Sequence, residues 1–168
     1  ALLAADRPAI GLAPSALALR ENGRITHIHT ATIQAALAAG LVPVIFGDVA
    51  FDAAQGGTII STEEVMMALA EDLRPSWLLL AGEVPGVLDA QRRVVAAITR
   101  HNYDEVAAAL GGSRGTDVTG GMVSKVQSML RLVDEHPQLS IRIFSGLEAG
   151  LMAALLREPE TAVGTRIA

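Results

Sequence analysis

Gly115-Thr116-Asp117-Val118-Thr119-Gly120-Gly121-Met122-Val123-Ser124-Lys125 holds the sole lysine of this chain, set against twelve arginines. A glycine pair precedes the lysine. Met122, Val126, Met129, Leu130 and Val133 follow at spacings of three and four, which places them on one face of a helix. The stretch therefore reads as a loop entering a helix, with Lys125 at the edge of the apolar face, about a turn inside. A helix start presents backbone N–H groups without intrahelical acceptors, and the positive end of the helix dipole lies there. One ammonium beside such a start suits a phosphate group. The competing reading is a poorly started helix with a surface lysine. Two glycines in a first turn cost up to ~1 kcal/mol each in helix propensity, and the close approach of a phosphate would offset that. Asp117 and Thr119 are placed to cap the helix or hold the loop. The spacing is not G-x-x-x-x-G-K-[ST], and no G-x-G-x-x-G is present.

Outward from this stretch, short apolar runs alternate with helical patterns. Residues 1–5 read as the end of a helix. Ala9 to Ala13 is a buried strand between prolines, and Arg20 to Gly23 a turn. Thr30 to Ala39 is a helix closed by Gly40, and Leu41 to Phe46 a strand that stops at Gly47-Asp48. Val49 to Asp52 and Thr58 to Ile60 pair as a hairpin with a five-residue loop. Ser61 followed by Glu64 is a capping box opening a helix to about Leu73, and Pro75 ends it. Trp77 to Ala81 is a strand, Val94 to Thr99 strand-like, and Tyr103 to Leu110 a short helix. Ser140 to Phe144 is a strand, Glu148 to Leu156 a helix, and Val163 to Ile167 a final strand. This alternation predicts an α/β fold with a mostly parallel open sheet.

Composition narrows the functions. The chain has 168 residues, of which 51% are hydrophobic and 18% charged, so it is expected to fold as one globular domain with a real core. A formal charge of −5 with scattered arginines argues against nucleic acid, and three Phe, one Trp and one Tyr are too few for base stacking. The absence of cysteine removes disulfides and thiolate metal sites and fits a reducing cytoplasm. No apolar run approaches the roughly 18 residues of a membrane span. The chain opens at Ala1 without methionine, already apolar and helix-like, so a longer parent protein is expected.

Ligands of open α/β sheets bind beyond the carboxyl ends of the strands. Four turns fit that rule: Gly47-Asp48, Gly82 to Gly86, the lysine stretch, and Ser145-Gly146. Each of the others taken singly is ordinary turn chemistry. The Ser61–Glu64 helix start is a further anion candidate, although its acids also simply complement the dipole. Glu63 is placed to orient a phosphate-binding lysine. His27 and His29 fall on one face of a strand, but two ligands without a third make a poor metal site. No metal-ligating set is therefore assigned.

Asp117-Val118-Thr119-Gly120-Gly121-Met122-x-x-Lys125-Val126 resembles the D-V-T-G-G-M-x-x-K-V segment of isopentenyl phosphate kinases, in the amino acid kinase superfamily. Gly40-Leu41-Val42-Pro43-Val44-x-x-Gly47-Asp48-Val49-x-x-Asp52 resembles the family's G-x-x-P-V-x-x-G-D-V-x-x-D. Ile143-Phe144-Ser145-Gly146 is similar to I-F-N-G, and Gly164-Thr165-Arg166-Ile167 to G-T-x-I. The resemblance implies a three-layer αβα sandwich that transfers the ATP γ-phosphoryl group to isopentenyl phosphate, with Mg²⁺ arriving on ATP. It implies catalytic roles for Lys125, against the nucleotide phosphates, and for Glu63, which matches the aspartate that organises active-site lysines. Gly82, Glu83, Gly86, Asp117, Thr119, Gly120, Gly121, Ser145 and Gly146 would then bind nucleotide. Gly47, Asp48, Ser61 and Thr62 would lie on the acceptor-phosphate side. A small-molecule phosphate acceptor is the expected partner, and the superfamily resemblance is compatible with a homodimer.

Several positions depart from the pattern. The family's S-G-D-D is Ser61-Thr62-Glu63-Glu64 here, and Pro85 replaces the second acid of its D-x-D-G-V turn. The family's opening G-G-S strand with a lysine, and its glycine-rich segment with a histidine, have no counterpart in these residues. The expectation is a nucleotide-binding part whose isolated chain is inactive, within a parent protein that is a kinase. Two alternatives stay open: another acceptor of the superfamily (fosfomycin, a nucleoside monophosphate or an amino acid such as glutamate), or a non-catalytic nucleotide-binding module.

Overall fold

A computed structural model describes residues 2–111 and 121–168. The chain divides into two compact units, Ala1–Arg74 and Pro75–Ala168. In the first unit a single 3₁₀ turn, Leu3–Ala5, precedes β1 (Ala9–Gly11), α1 (Pro14–Leu17), β2 (Ala18–Glu21) and β3 (Arg24–Ile28). Then follow α2 (Ala31–Ala38), β4 (Val42–Val44), β5 (Asp48–Asp52), β6 (Gly56–Ile60) and α3 (Thr62–Leu73). Strands β1 and β4 pair in parallel, and the other four form a sheet in the order β3-β2-β5-β6. Only the β2–β5 pairing of that sheet is parallel.

Its core is built by alternation. Ala18, Ala50 and Ile60 turn inward from the sheet and meet Ile33 of α2 and Val65 and Leu69 of α3. Val65 and Leu69 lie one helical turn apart, and burying each side chain contributes roughly 1.5–3 kcal/mol. The capping box opens α3: Ser61 Oγ accepts the Glu64 N–H at 3.1 Å, and Glu64 Oε2 accepts the Ser61 N–H at 2.8 Å. Arg74 closes the helix in the left-handed region before Pro75.

Two readings change here. Arg20 belongs to β2, and the turn is confined to Asn22-Gly23, both at positive φ. The hairpin loop is three residues, 53–55, because Asp52 accepts the Ala54 and Gln55 N–H groups and Gly56 takes φ +80°. Glycine takes that left-handed conformation without the steric cost a Cβ would bring.

The second unit contains β7 (Trp77–Gly82), β8 (Ala97–Ile98), α4 (Tyr103–Gly111), α5 (Gly121–Glu135), β9 (Ser140–Ser145), α6 (Leu151–Arg157) and β10 (Thr165–Ile167). The sheet order is β7-β9-β10-β8. Strand β7 runs parallel to β9 from Trp77↔Ser140 to Gly82↔Ser145, β10 runs antiparallel to β9, and β8 is parallel to β10. Strand β9 is buried from Ser140 to Phe144, as a central strand covered on both faces should be. Helix α5 buries Val126, Met129, Leu130 and Val133 as the periodicity predicts, and Leu132 besides.

The strand expected over 94–99 shrinks to two residues, and ahead of them Val94 makes only an isolated antiparallel bridge with Leu88, across a turn in which the Asp89 carboxylate accepts the Gln91 and Arg93 N–H groups. Helix α6 begins three residues later than expected, behind Gly150 at φ +82°. The units together make an α/β fold with open sheets in which parallel pairings outnumber antiparallel ones. Among the described residues no helix is long and apolar enough to cross a membrane.

Candidate functional site

In the first unit, residues predicted for the acceptor side converge on the start of α3. A Cβ added to Gly47 would stand 3.3 Å from Thr62 Oγ1, 3.4 Å from the Ile60 carbonyl and 3.5 Å from the Thr62 nitrogen. The Gly47 turn is thus packed directly onto the first residue of the helix, a separation that glycine permits most easily. The Thr62 amide occupies the first helical position, where helix geometry offers no intrahelical acceptor. Ser61 spends its hydroxyl on the Glu64 amide. The exposed Thr62 and half-buried Glu63 complete this start.

Asp48 plays a different part from the one its position suggests. Its carboxylate accepts the Ser15 N–H at 3.1 Å, at the beginning of α1. A bond with the Ser15 hydroxyl, then the Val49 and Ser15 amides, hold its pKa below the ordinary carboxylate range, against a smaller opposing effect of burial. The side chain is committed to α1, so Asp48 acts on the neighbouring Gly47 turn by fixing where β5 begins. Ser15 carries no motif, and only the fold reveals it.

In the second unit the ends of β7 and β9 are tied together. The Gly146 N–H donates to the Gly82 carbonyl at 2.7 Å, and a Cβ on Gly146 would stand 3.2 Å from that of Ala81. Gly86 is buried, and a Cβ there would meet Thr165 Oγ1 at 2.7 Å and Val94 Cγ1 at 2.9 Å. The Thr165 hydroxyl also accepts the Val87 N–H at 2.8 Å, which staples the 82–87 turn to β10. Beside this turn lies a cavity of about 360 Å³, lined among others by Pro85, Val94, Ala96, Ser145, Leu151 and Gly164. Its lining is mostly apolar, with Ser145 and Glu148 as its polar side chains. The structure brings Gly82, Glu83, Gly86, Ser145 and Gly146 to this one end of the sheet, where open α/β sheets bind ligands.

Gly121 is the first residue of α5, and Lys125 lies exposed in its opening turns. Asp117, Thr119 and Gly120 fall outside the described residues. His27 is the cross-strand partner of Leu19, and His29 lies just past the end of β3, with the two rings 6.4 Å apart. Among the described residues no group of three or more His, Cys, Asp or Glu could hold a metal ion. Three contributors take their roles only from the fold: Ser15, Thr165, whose hydroxyl accepts the Val87 N–H 78 positions away, and Arg20, whose carboxylate partner lies 44 positions away.

The fold is α/β, with a glycine turn packed on a helix start in the first unit and a cavity beside the strand ends in the second. The chain belongs to the amino acid kinase family, whose model matches residues 1–145. An isopentenyl phosphate kinase of Haloferax volcanii is 40% identical over 124 residues, covering 74% of this chain and 49% of the relative. Its counterpart in Methanothermobacter thermautotrophicus is 33% identical over 175 aligned positions, covering 99% of this chain and 64% of the relative. An X-ray structure of an isopentenyl phosphate kinase matches 99% of this chain and 62% of its own, with a TM-score of 0.76 at 28% identity. The chain thus spans between 49% and 64% of the length of these two curated relatives.

Proposed function

We propose that the protein is an ATP-dependent kinase that phosphorylates isopentenyl phosphate to isopentenyl diphosphate. The observation that carries this reading is the packing of Gly47 on Thr62 at the capped start of α3, in a chain similar to isopentenyl phosphate kinases. A capped helix start with a glycine turn against it is suited to one phosphate group. The Thr62 amide and hydroxyl would hold the acceptor phosphate, and Glu63 would orient cationic groups around it. Lys125 would neutralise charge on the nucleotide phosphates as transfer proceeds, the main form of catalysis open to phosphoryl transfer.

The cavity beside Pro85, Ser145 and Gly164 fits the nucleotide base, and the close-packed Gly86 and Gly146 turns leave backbone at its rim. When bound, ATP supplies the transferable phosphoryl group, with Mg²⁺ carried on its phosphates. That route suits Mg²⁺, which is commonly held through substrate phosphates. The setting would be the cytoplasm.

The test is ³¹P NMR of the full-length protein that contains this chain, with ATP, Mg²⁺ and isopentenyl phosphate, beside fosfomycin, nucleoside monophosphates and glutamate. A diphosphate product from isopentenyl phosphate is expected. Turnover of another acceptor in its place, or nucleotide binding with no transfer to any of them, would refute the assignment.

A further inference from the structure

The start of α3 is braced from beneath by an arginine that the site described above does not include. Arg20 lies in β2 and is 4% exposed. Its guanidinium donates to the backbone carbonyls of Ile59 and Gly23. It also donates to Glu64 Oε1 at 2.8 Å. The second oxygen of that same carboxylate, Oε2, accepts the Ser61 N–H. One carboxylate therefore bridges a buried cation and the N-cap of the helix. Through Arg20 the capping box is joined to the β2–β3 turn and to the last residues of β6.

A capping box closes without an arginine, because its two hydrogen bonds are reciprocal between the cap residue and the third helical residue. Arg20 adds direction. Left to the capping box alone, the Glu64 side chain answers only to its own helix. The guanidinium fork ties it to two carbonyls of the sheet, in a planar geometry that an ammonium does not reproduce. The arrangement is also a poor choice for stability alone. Arg20 Nε is buried with no hydrogen-bond partner, and taking a cation out of water is costly even where it is paired. Its effect is to hold one orientation of the helix start against the sheet. Thr62 and Glu63, the residues turned to the acceptor phosphate in the function proposed above, lie between the two residues so held.

We infer that Arg20 is a positioning residue for phosphate binding, acting through Glu64 to set the α3 start against the Gly47 turn. The inference rests on the proposed function for the identity of the phosphate, but the brace itself can be read without it. Arg20→Met removes the fork and keeps much of the volume. Arg20→Lys keeps the charge and loses the planar fork. Glu64→Gln keeps one neutral oxygen for either the Ser61 N–H or the guanidinium, and sets an NH₂ donor against the other. Glu64 is 42% exposed at its side chain, so this variant folds even where Arg20→Met does not.

Hydrogen exchange of the 61–65 amides and steady-state kinetics are measured on the same proteins. Arg20→Met and Glu64→Gln are expected to speed exchange at 61–65 about tenfold or more, while the amides of β9 keep their protection. The KM for isopentenyl phosphate is expected to rise about tenfold with the KM for ATP within about twofold, and Arg20→Lys to restore only part of the loss. Unchanged exchange at 61–65 in the folded variants would overturn the inference, as would an equal rise of both KM values. If the unmodified full-length protein does not turn over isopentenyl phosphate, the proposed function fails, and the exchange data alone decide whether Arg20 holds the helix start.

Discussion

Replacing Thr165 by Val isolates one buried hydrogen bond that ties the nucleotide turn to the sheet. Thr165 and Val87 are both fully buried, and the Thr165 hydroxyl accepts the Val87 N–H at 2.8 Å. Valine has nearly the same shape and no acceptor. The Val87 amide would then sit in the core without a partner, at a cost of about 1–3 kcal/mol. The upper part of that range is expected, because the methyl group replacing the hydroxyl also faces Gly86, where even an added Cβ would stand only 2.7 Å from Oγ1. At ~2–3 kcal/mol, a chain of this size should lose roughly 4–12 °C in Tm. Trp77 is the sole tryptophan of the sequence and stands at the start of β7 in the same unit, so its fluorescence in urea follows the relevant transition. Thr165→Ser is the control, because it keeps the acceptor and loses one methyl, at about 0.8 kcal/mol. The reasoning fails if the valine variant matches the unmodified protein within ~0.3 kcal/mol, or if serine is the more harmful substitution. A rise in the KM for ATP with Thr165→Val would connect the staple to the nucleotide cavity.

Three further outcomes are expected. Gly164→Ala should abolish soluble folding or lower stability by more than about 3 kcal/mol, because φ is +68° and the new Cβ would lie 2.2 Å from the Ile143 carbonyl; a near-normal melting curve would contradict this. Lys125→Met should reduce kcat by roughly 10²–10³ and leave the circular dichroism spectrum unchanged, and an unaltered kcat would remove Lys125 from catalysis. Asp52 is buried and accepts N–H groups from Gly23, Ala54, Gln55 and Asn22. Its pKa lies below the ordinary value, with the Gly23 bond the leading cause, then the opposing effect of burial, then the other three bonds. A carboxylate with a depressed folded-state pKa stabilises above its unfolded value of about 3.9, and that contribution is lost as the pH falls through the folded value. The stability gap between the unmodified protein and Asp52→Asn should therefore be full at neutral pH and close below about pH 4; a gap independent of pH would refute the role.

What was legible follows the range of the interactions. The capping box of Ser61 and Glu64 and the apolar face of α5 are set within one or two helical turns, and both stand where the residues place them. Arg20 was read as a turn because its neighbours Asn22 and Gly23 are turn formers, whereas what holds it in a strand comes from β5 by parallel pairing and from Glu64. The hairpin loop came out two residues too long for the same reason. The Gly56-Gly57 pair reads as part of an open loop, and the Asp52 carboxylate closes it by gathering amides from two separate turns. Gly86 read as a place for a ligand to approach, and the structure adds a second reason for glycine there, the hydroxyl of Thr165.

The residues alone determined most of the order of helices and strands, though not α1 or β2, together with the family resemblance and which turns carry glycine where a phosphate could approach. Those properties rest on local periodicity, backbone preference and motif spacing, all contained in a few consecutive residues. Tertiary structure alone decided that Gly47 packs on Thr62, that Asp48 is committed to Ser15, and that Arg20 reaches Glu64. Those contacts join residues far apart in the chain, and no local preference encodes a partner that only the closing of the sheet brings within hydrogen-bond reach.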